Sequence, residues 1–177
     1  MRQSLCSNVP NAVAALLNAR EERWLRRLAL SERGTLLTVT LNLPGPDKCL
    51  PQWLAFYAAA RNDLEENLAI RGYDVVLASF YLSAAGPETH FLLVDKAIKA
   101  AELKRAMVDF EERYPAGRLL DLDVMASEGE PLGRESLGLP PRSCLCCSRP
   151  AKECAAQARH PLDQVLRAAE RFLRVFE

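Results

Sequence analysis

The chain has 177 residues, 49% hydrophobic and 26% charged, with 23 Lys+Arg balanced by 23 Asp+Glu. That size accommodates one domain with a full core, and zero net charge weighs against a dedicated nucleic-acid binder. No apolar run near Met1 has the form of a signal peptide, and none elsewhere reaches the roughly 18 residues of a membrane span, so a cytoplasmic address is expected.

Ser7 or Asn8 ahead of Val9-Pro10 predicts a helix start, with Gly34 as its C-cap. Val13, Leu16, Leu17, Trp24 and Leu28 form its apolar stripe, on which Arg20 also falls; Arg20, Arg23, Arg26 and Arg27 make a local positive cluster. Thr35 to Leu43 alternates as a half-buried strand, with Thr38, Thr40 and Asn42 on the face away from the leucines. Pro44-Gly45-Pro46 ends it, and Lys48 follows. An amphipathic helix is predicted over 52–71, closed by Gly72, then strands over 73–83 and 88–95 joined by a hairpin. Ala100 to Tyr114 has helical spacing, Gly117 to Met125 reads as the last strand, and Pro161 opens a final helix.

The order is a helix, then β-α-β-β-α-β, then a tail, which predicts an α+β fold. Its core is a ferredoxin-like βαββαβ unit with helices over one face of a four-stranded sheet. A single domain is expected: an N-terminal helix over 1–34, the sheet core over 35–125, and a Cys-rich loop plus helix over 126–177.

Three groups of residues carry chemistry. In the last strand Asp121 and Asp123 project from one face, where two carboxylates can share Mg²⁺; the alternative is an ordinary solvated strand face. Cys144-x2-Cys147-x6-Cys154-x5-His160 has the ligand types of a structural Zn²⁺ site. Reduced thiols in a turn, or a nucleophilic cysteine served by His160 or His90, are the other readings; His90, in a strand, reads as structural. Cys6 and Cys49 are expected as small, partly buried residues. Lys48, Arg134 and Arg142 are candidates to neutralise a polyphosphate, without a Walker-type glycine loop.

In combination these segments resemble the apo-citrate lyase phosphoribosyl-dephospho-CoA transferase family. The matching pieces are Ala19-Arg20-Glu21-Glu22-Arg23, Thr40-Leu41-Asn42-Leu43-Pro44-Gly45-Pro46-x-Lys48, and Gly117-Arg118-Leu119-x-Asp121-x-Asp123-Val124. The most specific is Leu137-Gly138-Leu139-Pro140-Pro141-Arg142-x-Cys144-Leu145-x-Cys147, continuing to Cys154 and His160. Two departures stand out: Ala155-Ala156-Gln157-Ala158 where the family carries arginines, and the extra Cys146.

The resemblance implies a bacterial nucleotidyltransferase. It would move phosphoribosyl-dephospho-CoA from 2'-(5''-triphosphoribosyl)-3'-dephospho-CoA to a serine of the citrate lyase acyl carrier (gamma) subunit, releasing pyrophosphate. On that reading Asp121, Asp123 and Arg118 are catalytic, with Mg²⁺ on the two aspartates. Lys48, Asn42, Arg142, Arg20 and Arg134 bind substrate, and Asp95 is a possible third carboxylate. No nucleic acid or membrane partner is implied. The competing classes are a zinc-knuckle module for protein or RNA, and the same chemistry on another carrier such as that of malonate decarboxylase.

Overall fold

The computed structural model describes residues 9–45, 47–94, 99–127 and 129–176. Helix α1 (Val9–Ser31) is followed by β1 (Thr35–Leu41), α2 (Pro51–Ile70), β2 (Val75–Ser83), β3 (Gly86–Leu93), α3 (Ala100–Arg113) and β4 (Leu120–Met125). The tail adds β5 (Pro131–Leu132), α4 (Ala151–Ala156) and α5 (Leu162–Phe176). The predicted helix start at Ser7 or Asn8, Cys6 and Asp95 lie outside the described residues.

The strands form one antiparallel sheet in the order β2-β3-β1-β4-β5. Its first four strands have the split arrangement expected, and the two-residue β5 is an unforeseen addition at one edge. Residues 117–119, predicted as strand, form a 3-10 turn instead. Gly117 is required there because a Cβ would collide with the Glu111 carbonyl.

One face of the sheet is apolar. Leu37, Val39 and Leu41 of β1, Phe91 and Leu93 of β3, and Leu120, Leu122 and Val124 of β4 are buried in a single cluster. Trp53, Phe56, Tyr57, Ala60, Leu64 and Leu68, spaced along one side of α2, pack into it with Leu103 and Met107 of α3. Helix α5 joins through Ala169 and Leu173, and Phe176 meets the Phe56 ring edge-on at 5.0 Å. Each fully buried Leu or Phe here contributes about 2 kcal/mol by transfer from water.

The other face is not open, as the alternation of β1 suggested: every residue of β1 is buried. Helix α1 covers it, with Leu16 and Leu28 of its predicted stripe half-buried and the rest of that stripe turned outward. Val13, Leu17 and Trp24 are exposed, while Ala19, Arg23, Arg26 and Arg27 turn inward. The reason is the surface it meets, which is polar. Cys49, expected partly buried, is exposed. Among the described residues no helix is long and apolar enough to cross a membrane.

Candidate active site

Strand register builds two polar rungs beneath α1. Asp121, Thr40, Glu88 and Tyr81 align across β4, β1, β3 and β2, and Asp123, Thr38, His90 and Ser79 form the next rung. Thr38 and His90 share a hydrogen bond of 3.1 Å, and His90 Nε2 lies 3.4 Å from Glu88 Oε2. His90 is fully buried in this network, consistent with a structural role.

Arg23, Arg26 and Arg27 recur at helical spacing and so share one side of α1. All three converge on Glu88, at 3.1, 3.2 and 3.2 Å, although its side chain is only 1% exposed. Burial pushes the Glu88 carboxyl up, but the close approach of His90, with Arg23 and Arg27, outweighs it. The carboxyl is held down at about 2. Arg27 also donates to Asp123 at 3.1 Å, so one guanidinium links both rungs.

Asp121 faces a different neighbourhood. Burial, then repulsion from Asp123, push its carboxyl up to about 6, against the pull of Arg142 at 3.7 Å. Solvent still reaches 45% of the Asp121 side chain and 39% of Asp123. The charge pair expected to need a cation is thus partly balanced by the protein's own Arg27 and Arg142.

Beyond β5 the outer edge of β4 is bonded by side chains instead of a strand. Lys104 donates to the Leu122 carbonyl at 2.6 Å, the Leu122 amide donates to Glu111 at 2.9 Å, and Arg142 donates to the Leu120 carbonyl at 2.9 Å. Glu111 then pairs with Arg142 at 2.5 Å and Arg134 at 3.3 Å. Arg118, on the turn before β4, donates to the Ser143 carbonyl, and Asn42 donates to the Arg118 carbonyl at 3.2 Å. Arg118, Arg134 and Arg142 line a cavity of about 250 Å³. A second, of about 460 Å³, shares Arg118 and is walled by Asn42, Leu43, Pro44, Leu145 and Val165. Lys48 donates to the Leu43 carbonyl at 2.6 Å. Its pKa is lowered by burial and by Arg20 and Arg23, while Asp121 opposes the shift. Arg20 itself is exposed.

The cysteines form a compact unit in the wall of the larger cavity, which Cys144, Cys154 and His160 line. Ser143 pairs with Pro150, Cys144 N donates to Arg149 O at 2.7 Å, and Ala151 N donates to Arg142 O at 2.8 Å, closing a tight loop. Helix α4 carries Cys154, and a turn through Ala158 (φ 43°) returns His160 toward it. Ligand atoms of Cys144, Cys147, Cys154 and His160 lie within 4.8 Å of one another, the only such group of three or more among the described residues. Cys147 Sγ approaches His160 Nε2, the contact a nucleophilic cysteine would need, but two further thiols crowd the same point.

Residues 11–176 match the family model for apo-citrate lyase phosphoribosyl-dephospho-CoA transferase. A relative from Streptococcus pyogenes, named as a probable transferase of this kind, is 35% identical over 167 residues, covering 91% of this chain and 84% of its own. One from Escherichia coli bearing the same name is 33% identical over 175 residues, covering 96% and 92%. The chain belongs to the apo-citrate lyase phosphoribosyl-dephospho-CoA transferase family. It is therefore a transferase.

For a member of this family the structure gathers the residues singled out in sequence at one end of the sheet. Asn42, Arg118, Arg134 and Arg142 line the two cavities; Asp121 adjoins Arg142; Lys48 lies within the electrostatic reach of Asp121 and Arg20. Sequence reasoning missed Glu88 and Glu111, the buried acids that position the arginines. Their partners in α1 and the 134–142 loop lie tens of residues away, so no local spacing marks them. The available signal was the clustering of Arg23, Arg26 and Arg27 on one side of a helix, which requires a carboxylate if that side turns inward.

Proposed function

We propose that the protein transfers phosphoribosyl-dephospho-CoA from 2'-(5''-triphosphoribosyl)-3'-dephospho-CoA to a serine of the citrate lyase acyl carrier subunit. The serine Oγ forms a bond to the innermost phosphorus of the triphosphate, and the bond from that phosphorus to the bridging oxygen breaks. Pyrophosphate departs with the electron pair, and the serine proton passes to solvent. The observation that carries this reading is the arginine-rich cavity: Arg118, Arg134 and Arg142 line it together with Glu111 and Glu112, Arg142 also lies 3.7 Å from Asp121, and Lys48 is within electrostatic reach of Asp121.

Such a reaction demands charge neutralisation and alignment more than covalent help. Arg118, Arg134 and Arg142 offer forked donors suited to phosphate oxygens. Lys48 adds a point charge whose burial favours pairing with an anion, and exposed Arg20 extends the basic rim. The larger cavity falls within the size range of ligand pockets and is mostly apolar, which suits the nucleoside end of the donor. Asn42, at the junction of its wall with Arg118, fixes orientation.

Asp121 and Asp123 present only oxygen donors, from one face of β4 and with open surface, which is the donor set a hard cation takes. Mg²⁺ held there would supply charge neutralisation at the triphosphate. Arg27 holds the Asp123 carboxylate at 3.1 Å, and Arg142 lies 3.7 Å from that of Asp121.

Incubation with apo acyl carrier subunit, the triphosphoribosyl donor and Mg²⁺, followed by intact-mass measurement of the carrier, tests the proposal. A gain of one phosphoribosyl-dephospho-CoA unit, lost with EDTA, is expected. No gain on a carrier that another synthase can modify, or a gain only on the malonate decarboxylase carrier, overturns it.

A further inference from the structure

We infer that Cys144, Cys147, Cys154 and His160 bind one structural Zn²⁺ ion that clamps the 140–162 segment onto the end of the sheet. The inference is independent of the donor and acceptor proposed above.

Donor spacing carries it. Zinc bonds of about 2.3 Å to sulfur and about 2.0–2.1 Å to nitrogen, at tetrahedral angles, separate two sulfurs by about 3.8 Å and a sulfur from a nitrogen by about 3.6 Å. Cys147 Sγ lies 3.6 Å from Cys154 Sγ and 3.4 Å from His160 Nε2. A disulfide would bring the sulfurs to about 2.0 Å, and a catalytic cysteine pair would not need four convergent donors. Three thiols and one imidazole, all within 4.8 Å of one another, supply the four donors of a closed tetrahedral shell with no position for substrate, the composition of a structural site.

The backbone is arranged for the same end. The Cys146 amide donates toward Cys144 Sγ at 3.4 Å, supporting sulfur as an acceptor from outside the ligand set. Ala158 holds a left-handed φ of 43°, a conformation unfavourable for a residue with a Cβ. That turn delivers His160 to the thiols, with Arg159 N donating back to the Cys154 carbonyl at 3.0 Å. Cys146 is excluded: its Sγ turns to the Gln164 carbonyl at 3.8 Å.

What the ion would fasten is the arginine-bearing wall. Arg142 and Ser143 immediately precede Cys144, and Ser143 accepts from Arg118. His160 lies two residues before the start of α5, which is rooted in the core through Ala169 and Leu173. The ion would therefore join the arginine-bearing wall to the core alongside Leu145, which already packs against the core cluster.

Full-length protein, prepared reduced from zinc-supplied cells without chelator, is assayed for metals and then exchanged with Co²⁺. One zinc per chain is expected, with the strong visible bands and thiolate charge-transfer absorption of tetrahedral cobalt. Cys146→Ser retains the metal and Cys154→Ser loses it. Zinc-loaded native protein also resists alkylation at three cysteines that react after chelation. Less than about 0.1 zinc per chain, stoichiometric iron in its place, or loss of metal from Cys146→Ser equal to that from Cys154→Ser overturns the assignment. The wild-type metal content and cobalt spectrum decide the matter even where a variant fails to fold. Chelation should raise amide exchange across 140–162 and leave β1, β3 and β4 protected; unchanged exchange there refutes the clamp.

Discussion

The two faces of the sheet are held by different physics. On one, leucines and aromatics of α2, α3 and α5 exclude water from β1, β3 and β4. On the other, α1 is attached through Arg23, Arg26 and Arg27 to a single buried carboxylate, with Val13, Leu17, Trp24 and Leu25 left outside. An apolar face tolerates shape-conserving change and is indifferent to pH. A face built on paired charge is exacting: removing one member strands the others. The candidate catalytic carboxylates stand on the exacting face.

The largest expected effect is on activity. Asp121→Asn should lower transfer rate about 100-fold or more, since a carboxylate that helps to hold a cation supplies several kcal/mol of transition-state stabilisation. The same variant should not lower the urea midpoint, because burial and Asp123 already disfavour the Asp121 charge. A rate within about threefold of wild type would remove Asp121 from the machinery.

Next come the two faces in direct competition. Glu88→Gln, which leaves three arginines around a neutral amide, should cost about 3–5 kcal/mol in urea unfolding. Leu64→Ala, beneath the opposite face, should cost about 2–5 kcal/mol. The distinction lies in pH. The Glu88 carboxyl is held down from an ordinary 4.5 to about 2 by His90, Arg23 and Arg27, with Arg26 also paired to it. Its stabilisation is complete above 4.5 and disappears as pH falls toward 2, so the gap between wild type and Glu88→Gln should narrow there. The Leu64→Ala gap should stay constant. Asp121 runs the other way: with its carboxyl pushed up from 3.8 to about 6, its ionisation costs stability above that pH, and acidification toward 4 relieves the cost.

The smaller effects concern α1 alone. Arg27→Met, which loses charged hydrogen bonds to Glu88 and Asp123, should cost about 2 kcal/mol. Trp24→Ser, at an exposed position on the same helix, should stay within about 0.5 kcal/mol of wild type. The reverse ranking in chemical denaturation would show that α1 is held by its apolar residues after all.

That contrast also explains which parts of the structure were legible in the sequence. Alternation in Thr35–Leu41 and the spacing of Trp53, Phe56, Tyr57, Leu64 and Leu68 report burial against apolar partners, and both elements stand where the pattern places them. The same rule misoriented α1, because it assumes that a helix turns its hydrophobic side to its support. Here the support is Thr38, Thr40, Glu88 and His90, so the charged side is the buried one. Asp121, Arg118, Arg142 and the cysteine tetrad were visible because each group is compact in sequence. Glu88 and Glu111 were not, since their roles exist only once α1 and the 134–142 loop have folded back. Helix α4 and strand β5, six and two residues long, are too short to show any period.

The side chains along the rim of β4 have one more consequence. Lys104, Glu111 and Arg142 occupy the amide and carbonyl groups that a foreign strand would otherwise use, and β5 covers the rest. The sheet therefore cannot be extended by another molecule on that side. At the opposite rim β2 leaves Val76, Phe80 and Leu82 exposed. Strand-to-strand aggregation of this chain, when it is stressed, should begin at β2 and leave the end that carries the arginine-rich cavity untouched.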